Sequence, residues 1–349
     1  MMSSGKSGIL FRPVAAMANR TIPLVSTTLS REDILGGWKV RWGAGRNDYS
    51  IEPGLYGVGS PTPGSPVLVT ANYRLTFDTL RKELAGIDAW ILVLDTKGIN
   101  VWCAAGKGAF GTDELVHRIR KERLSTVVSH RILIVPQLGA TGVAAHKVLE
   151  GSGFRVVYGP VRARDIGAFL AAGMKADPGM RRVRFDLADR LAVAPVELSH
   201  SWPFIAAALV LAALLTAVSA GFSVDAFLRY AFAFVSPILV GALVFPAVLP
   251  LLPFRAFALK GAVLGLAWSL AASLVAGFDV PAGVAFALLA TSVVSFISMN
   301  FTGASTYTNL TGATLEVKVG VPCMLSATVA GLALLIWRFL PSLVAGKLS

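Results

Sequence analysis

Six side chains in this 349-residue chain are suited to nucleophilic or metal chemistry: Cys103, Cys323, His117, His130, His146 and His200. Their spacing excludes several chemistries at once. Neither CxxC nor HExxH occurs, so no iron–sulfur cluster, cysteine-type zinc site or zincin motif is encoded. Cys103 stands in Asn100-Val101-Trp102-Cys103-Ala104-Ala105-Gly106-Lys107, with small residues directly after it. A free cysteine is commonly a buried packing residue. In a loop it is equally suited to act as a thiolate nucleophile or metal ligand. Residue types alone leave both readings open. A nucleophile would want a base; the motif holds none, and His130 is the one candidate to approach it in space. Residues Gly106–Gly111 also spell GxGxxG, but Gly106 lies twelve positions after Leu94, and Glu122 falls inside a helical pattern. A dinucleotide fingerprint follows its strand directly and has its acid at a strand end.

The elements that must position Cys103 alternate. Val67–Thr70, Trp90–Leu94, Arg131–Val135 and Arg155–Tyr158 read as strands. Thr76–Leu84, Thr112–Arg123, Gly142–Glu150 and Arg164–Ala172 read as helices, with Thr112 expected as the cap of its helix. This order predicts a mostly parallel sheet with helices on both faces, binding its ligand outside the carboxyl ends of the strands. Those ends are Thr70–Asn72, Asp95–Lys107, Pro136–Gly142 and Gly159–Arg162. Residues 1–30 read as a mobile tail, and the Gly- and Pro-rich stretch 31–65 as an irregular lead-in.

Composition divides the chain. It is 54% hydrophobic and 15% charged, against about 25% charged in an ordinary soluble domain. Up to Glu197 there are 26 basic and 17 acidic residues; after it there are 6 and 3. Five apolar stretches fill the second half, at 202–222, 226–249, 256–276, 281–299 and 321–340. Each approaches the roughly 20 residues that cross a bilayer as a helix. The expected domains are therefore residues 31–199, an α/β domain, and 200–349, an all-α membrane domain of five helices. Pro237 and Pro246 are expected to kink the second helix. Arg181, Arg182, Arg184 and Arg190 before the first stretch, Arg255 with Lys260 at the second turn, and Lys318 in the Asn300–Gly320 loop put that side and the N-terminal domain in the cytoplasm. The expected location is the inner (cytoplasmic) membrane. The excess positive charge is used in this orientation, and no nucleic-acid partner is expected.

The eight residues Asn100–Lys107 resemble the signature of the mercury-methylating corrinoid proteins, a family similar to the corrinoid domain of the corrinoid iron–sulfur protein large subunit. The likeness extends to Asp95-Thr96-Lys97-Gly98-Ile99, Pro136-Gln137-Leu138-Gly139, Tyr158-Gly159-Pro160-Val161-Arg162 and the polar Asn300–Gly312 loop. It implies a Rossmann-like corrinoid-binding domain followed by five transmembrane helices. It also implies a cobalamin-type corrinoid in its methylcobalt form, with Cys103 on a short capping helix as the lower axial cobalt ligand and catalytic residue. The B12 motif DxHxxG is absent from the sequence. The rest of the motif, Asn100, Val101, Trp102, Ala104, Ala105, Gly106 and Lys107, would line the cofactor, its small residues letting the cap lie flat on the corrin. Thr70, Thr76 and Gln137 are corrin-contact candidates on neighbouring rim loops. The implied activity is methyl transfer to Hg(II), giving methylmercury. The alternative is a corrinoid methyl carrier for another acceptor in one-carbon, acetyl-CoA-pathway metabolism. A transporter with a soluble regulatory domain is the competing reading from another class, opposed by the near absence of ionisable groups within the apolar stretches. The implied partners are a ferredoxin-like dicluster iron–sulfur electron donor and a methyltetrahydrofolate-linked methyl donor. Cys323, beside Pro322, is expected to be a passive packing residue.

Overall fold

The computed structural model describes residues 12–13, 21–220, 223–302 and 310–345. The chain separates into two compact units, one built from residues up to Val183 apart from Arg41–Gly43, the other from Arg41–Gly43 and Arg184 onward.

In the first unit the described strands are β1 (Arg12–Pro13), β2 (Pro23–Val25), β3 (Gly54–Val58), β4 (Val67–Ala71), β5 (Ala89–Leu94), β6 (Ile132–Val135) and β7 (Arg155–Tyr158). They form one sheet in the order β1-β2-β3-β5-β4-β6-β7. Pairs β2–β3, β4–β5, β4–β6 and β6–β7 are parallel; β1–β2 and β3–β5 are antiparallel. The four strands and four helices expected from the alternating pattern are present, with shifted ends. Sequence reading passed over β3 because Gly54 and Gly57 dilute its apolar character, yet it is almost wholly buried against β5. Strand β2 lies within the stretch expected to be a mobile tail; residues 1–11 and 14–20 of that stretch lie outside the described residues.

The helices of this unit are α1 (Arg31–Arg41), α2 (Arg74–Lys82), α3 (Val101–Gly106), α4 (Thr112–Lys121), α5 (Leu124–Val127), α6 (Ala145–Ser152) and α7 (Ile166–Ala171). The strands are apolar on both faces, as a covered parallel sheet requires. On one face Val67, Val69, Trp90, Leu92 and Leu133 pack with Ala104, Leu115 and Val148 of α3, α4 and α6. On the other, Leu68, Ile91, Val93 and Ile134 pack with Phe77 and Leu80 of α2 and Phe169 of α7. The lead-in expected to be irregular contains α1. Its start is a capping box: Ser30 N and Oγ both donate to Asp33 Oδ2 at 2.9 Å, and Asp33 N donates to Ser30 Oγ at 3.1 Å.

Asp33 also anchors a buried ion network. It accepts from Arg74 Nη2 at 2.5 Å and Arg81 Nη2 at 2.7 Å, and Arg81 Nε donates to Asp78 at 2.7 Å. Burial opposes the Asp33 charge, but the Ser30 amide and then the two guanidiniums outweigh it and hold its carboxyl at about 2, against an ordinary 3.8. Asp78 moves upward because burial outweighs its arginine contacts.

The second unit opens with α8 (Leu187–Leu191) and continues with α9 (Ala194–Ala220), α10 (Val224–Leu239), α11 (Phe245–Val248), α12 (Phe257–Ala276), α13 (Val280–Met299) and α14 (Leu310–Ala345). Among the described residues five helical segments are long and apolar enough to cross a membrane. The second of them, Val224–Val248, is not a uniform helix: a π-helical turn, Val240–Val244, lies between Pro237 and Pro246. Two prolines remove two backbone donors, and a wider turn accommodates the displaced carbonyls.

Two expectations about charges change. The fifth segment begins well before Val321, so Lys318 and Glu316 are helical rather than in a loop. Of the Asn300–Gly320 loop, residues 303–309 lie outside the described residues. Lys260, expected as a flanking cytoplasmic charge, is buried at 2% exposure, its ammonium donating to the carbonyls of Leu249 and Leu252. Glu316 accepts from Ala258 N at 2.9 Å and so caps α12 from another helix. These charges close helix ends.

Asp33 yields a prediction with a definite sign. A carboxyl depressed from 3.8 to about 2 on folding stabilises the fold above pH 4, by about 2 kcal/mol, and that contribution is lost as pH falls from 4 through 2. Asp33→Asn should cost about 3 kcal/mol at pH 7 by removing the carboxylate that Arg74 and Arg81 share, leaving Asp78 as their remaining carboxylate, and should flatten the acid limb of thermal stability below pH 4. Thermal melts of the full chain in detergent, followed by circular dichroism from pH 7 to pH 2, measure both.

Candidate functional site

Because β4 to β7 are mutually parallel, their carboxyl ends share one edge, and all four expected rim loops lie there. The chain runs from β4 out to β5 on one side and returns past β4 to β6 on the other, so the strand order reverses between β4 and β6. That is where open α/β sheets take ligands.

Helix α3 stands on this rim, six residues after β5 ends. Its approach is fixed from below by Asn72, the residue after β4. Asn72 Oδ1 accepts from Thr96 N at 3.0 Å and Gly98 N at 3.0 Å, with Thr96 Oγ1 at 2.8 Å. Lys97 and Gly98 then turn the chain with φ of +55° and +70°. Glycine adopts this region freely, while Lys97 is held in it. From the side, Glu114 of α4 accepts from Asp95 N at 2.8 Å and is itself gripped by Arg118 at 2.8 Å. Asn100 then caps the helix, its Oδ1 accepting from Cys103 N at 2.9 Å.

Cys103 is a free, exposed thiol. Val101, Ala104 and Ala105 on the opposite side of α3 are buried in the core beneath it. The side chains of Ala104 and Ala105 face the sheet, and their smallness seats the helix on it. The exposed members of the motif are Cys103, Gly106 and Lys107; Asn100 and Trp102 are half-buried. A Cβ built on Gly106 would meet nothing within 4 Å, so the surface beside the thiol is open. Thr70 is buried in β4 at 2% exposure, its side chain within the sheet layer. Thr76 sits half-buried in the first turn of α2, and Gln137 half-buried in a short 3-10 turn after β6, accepting from Arg181 at 2.8 Å.

The GxGxxG run is a joint between α3 and α4. Gly142, from the loop after β6, leaves no room for a side chain: a Cβ there would lie 2.2 Å from the Phe110 carbonyl and 3.1 Å from Ala105. A Cβ on Gly139 would likewise collide with the Phe110 ring. Thr112 is the first residue of α4, whose cap is Gly111; its hydroxyl accepts from Ala144 N at 2.9 Å, tying the same loop. His130 is remote from the motif. It lies at the amino end of β6, with Nε2 2.9 Å from the Ser65 carbonyl and Nδ1 accepting from Ile132 N at 3.2 Å. Among the described residues no group of three or more His, Cys, Asp or Glu is placed to hold a metal ion, so any metal bound here through Cys103 must bring most of its own ligands.

Sequence reading missed Asn72, Thr96, Glu114 and Arg181. Asn72 carried a legible signal, a carboxamide directly after a buried strand. The others act through contacts between residues far apart in the chain.

Residues 42–170 match the family model described as CO dehydrogenase/acetyl-CoA synthase delta subunit. Acetyl-CoA decarbonylase/synthase complex subunit gamma of Archaeoglobus fulgidus is 32% identical over 127 residues, 36% of this chain and 27% of that protein. The subunit of the same name from Methanopyrus kandleri is 34% identical over 127 residues, with the same shares. That of Methanosarcina acetivorans is 39% identical over 99 residues, 27% of this chain and 21% of that protein. The chain spans about a quarter of the length of the curated relatives it matches. The stretch matched by the family model includes the whole rim and ends before Arg184, where the main segment of the second unit begins.

Asn72→Ala leaves the Thr96 and Gly98 amides without their acceptor, at about 1–3 kcal/mol for each buried donor left unmade. Gly142→Val forces the loop after β6 off α3. Both variants should speed amide hydrogen exchange across residues 95–106 by tenfold or more while leaving β4–β6 protected, as read by mass spectrometry.

Proposed function

We propose that this chain is a membrane-attached corrinoid methyl-transfer protein in which Cys103 is the lower axial ligand of cobalt. The observation that carries the reading is the exposed thiol on the Asn100-capped α3, set on the carboxyl rim within the matched stretch 42–170. The residues present fit such a group: a soft donor, an open surface beside it at Gly106, and a mount seated in the core. A bound corrinoid would supply a cobalt centre that accepts and releases a methyl group.

To hold such a group Cys103 would lose its proton to solvent, to which it is exposed, and its thiolate would donate electron density to the metal, a lever on the metal centre's reactivity. Asn100 holds the Cys103 amide, and Lys107, exposed at the C-cap of α3 four residues on, would add a cation to the same rim. Gln137, held by Arg181, offers an amide to the rim.

The relatives are named as subunits of an acetyl-CoA decarbonylase/synthase complex, which supports acetyl-CoA chemistry as the destination of the methyl group. A second reading, methyl transfer to Hg(II), is favoured by a separate observation: the match ends before Arg184, while five apolar helices follow, the arrangement of the mercury-methylating family that Asn100–Lys107 resembles. Under either, the partners this reading calls for are a dicluster iron–sulfur protein as electron donor and a methyltetrahydrofolate-linked system as methyl donor. The first unit lies in the cytoplasm and the second in the inner membrane.

Purified full chain loaded with cobalamin should show the altered cobalt absorption of thiolate ligation. Cys103→Ala should lose it and abolish methyl transfer, while Cys323→Ala keeps both. An unchanged spectrum in Cys103→Ala would exclude the axial role. Deleting the gene in its host and assaying labelled methyl in acetyl-CoA and in methylmercury separates the two acceptors.

A further inference from the structure

Helix α1 carries an outward surface that the rim does not use. Ile34, Leu35, Trp38 and, one residue past its end, Trp42 are exposed at 50%, 61%, 62% and 44%. At about 100° per residue these four fall within about a third of the helix circumference. Asp33, Gly37 and Val40 occupy the opposite side and are buried. The ion pairs of Asp33 with Arg74 and Arg81 pin that inner side to α2, which fixes the direction of the outer one. Lys39 and Arg41 flank the apolar patch, Arg31 stands at its amino end, and Glu32 lies beyond Lys39.

Two tryptophans and two aliphatic residues bordered by cations are the composition of a helix that lies in a lipid headgroup layer.

We propose that residues 31–42 form an interfacial helix that binds an anionic phospholipid surface, Ile34, Leu35, Trp38 and Trp42 entering the acyl boundary and Arg31, Lys39 and Arg41 meeting headgroup phosphates. The inference rests on the reading that the five apolar helices span a bilayer. It adds that the first unit has its own attachment to that bilayer.

The test is photo-crosslinking of the full chain in vesicles of phosphatidylcholine with phosphatidylglycerol. Benzoylphenylalanine is placed by Trp38→benzoylphenylalanine, with Ile34→benzoylphenylalanine as the second position. Leu274→benzoylphenylalanine, on the exposed side of α12, reports the bilayer reading alone, and Lys82→benzoylphenylalanine on α2 is the solvent control. Expected are phospholipid adducts at 34, 38 and 274 and none at 82. Adducts at 34 and 38 should fall several-fold with Lys39→Glu/Arg41→Glu or in phosphatidylcholine alone, those at 274 staying constant. Lipid adducts at 274 with none at 34 and 38, or adducts there to protein instead, overturn the interfacial helix and spare the membrane reading. No lipid adduct at 274 overturns both.

Discussion

One carboxamide oxygen, Asn72 Oδ1, receives two backbone amides and lies beside a hydroxyl from the loop that leaves the neighbouring strand. The rest of the rim depends on this contact. Strand β4 is central in the sheet and wholly buried, and Asn72 follows it directly, so the strand fixes where Asn72 stands. A loop bound to that residue inherits its position. The tight turn at Lys97–Gly98 then delivers Asn100, and Asn100 starts the helix that carries Cys103. Each step converts the rigidity of a strand into the placement of one sulfur atom.

The helix bearing that sulfur is only six residues long and could not persist alone, since helix nucleation is unfavourable and short helices are marginal in water. It exists because three of its side chains are core residues and because Gly139 and Gly142 let the next loop close against Phe110 and Ala105 without side chains between them. The pair of alanines and the pair of glycines therefore serve one end from two sides. A ligand approaching from solvent meets the thiol on a support that is already close-packed.

What the sequence made legible follows from how local the signals are. Strands β4 to β7 are short apolar runs between breakers, and their helices show the matching 3.6-residue period, so both were readable. Strand β3 was not, because two of its five residues are glycine and its place is set by pairing with β5. Helix α1 was passed over although Ser30 and Asp33 stand at capping-box spacing; two consecutive glycines masked its pattern. Cys103 was readable as a reactive candidate from residue types and a motif resemblance. The burial of Ala104 and Ala105 was not, since an alanine at a cofactor face and an alanine in a core look alike in sequence. The roles of Lys260 and Glu316 required tertiary contacts, because only the fold shows which helix end each of them closes.

The π-helical turn at Val240–Val244 has an angular consequence. A single surplus residue in an α-helix rotates everything after it by about 100° with little change in length. Before the turn, Ser236 receives the indole N–H of Trp268 at 3.1 Å. After it, Phe245 presents its ring to Phe257 at 5.8 Å and Phe301 at 5.7 Å. The same segment thus addresses the middle of α12 with one azimuth and the helix-end aromatics with another. Removing one residue between Val240 and Val244 would unwind this offset and turn Phe245 off its partners, while the segment stayed long enough to cross the same thickness. In this helix register works as a dial, and the surplus residue is its setting.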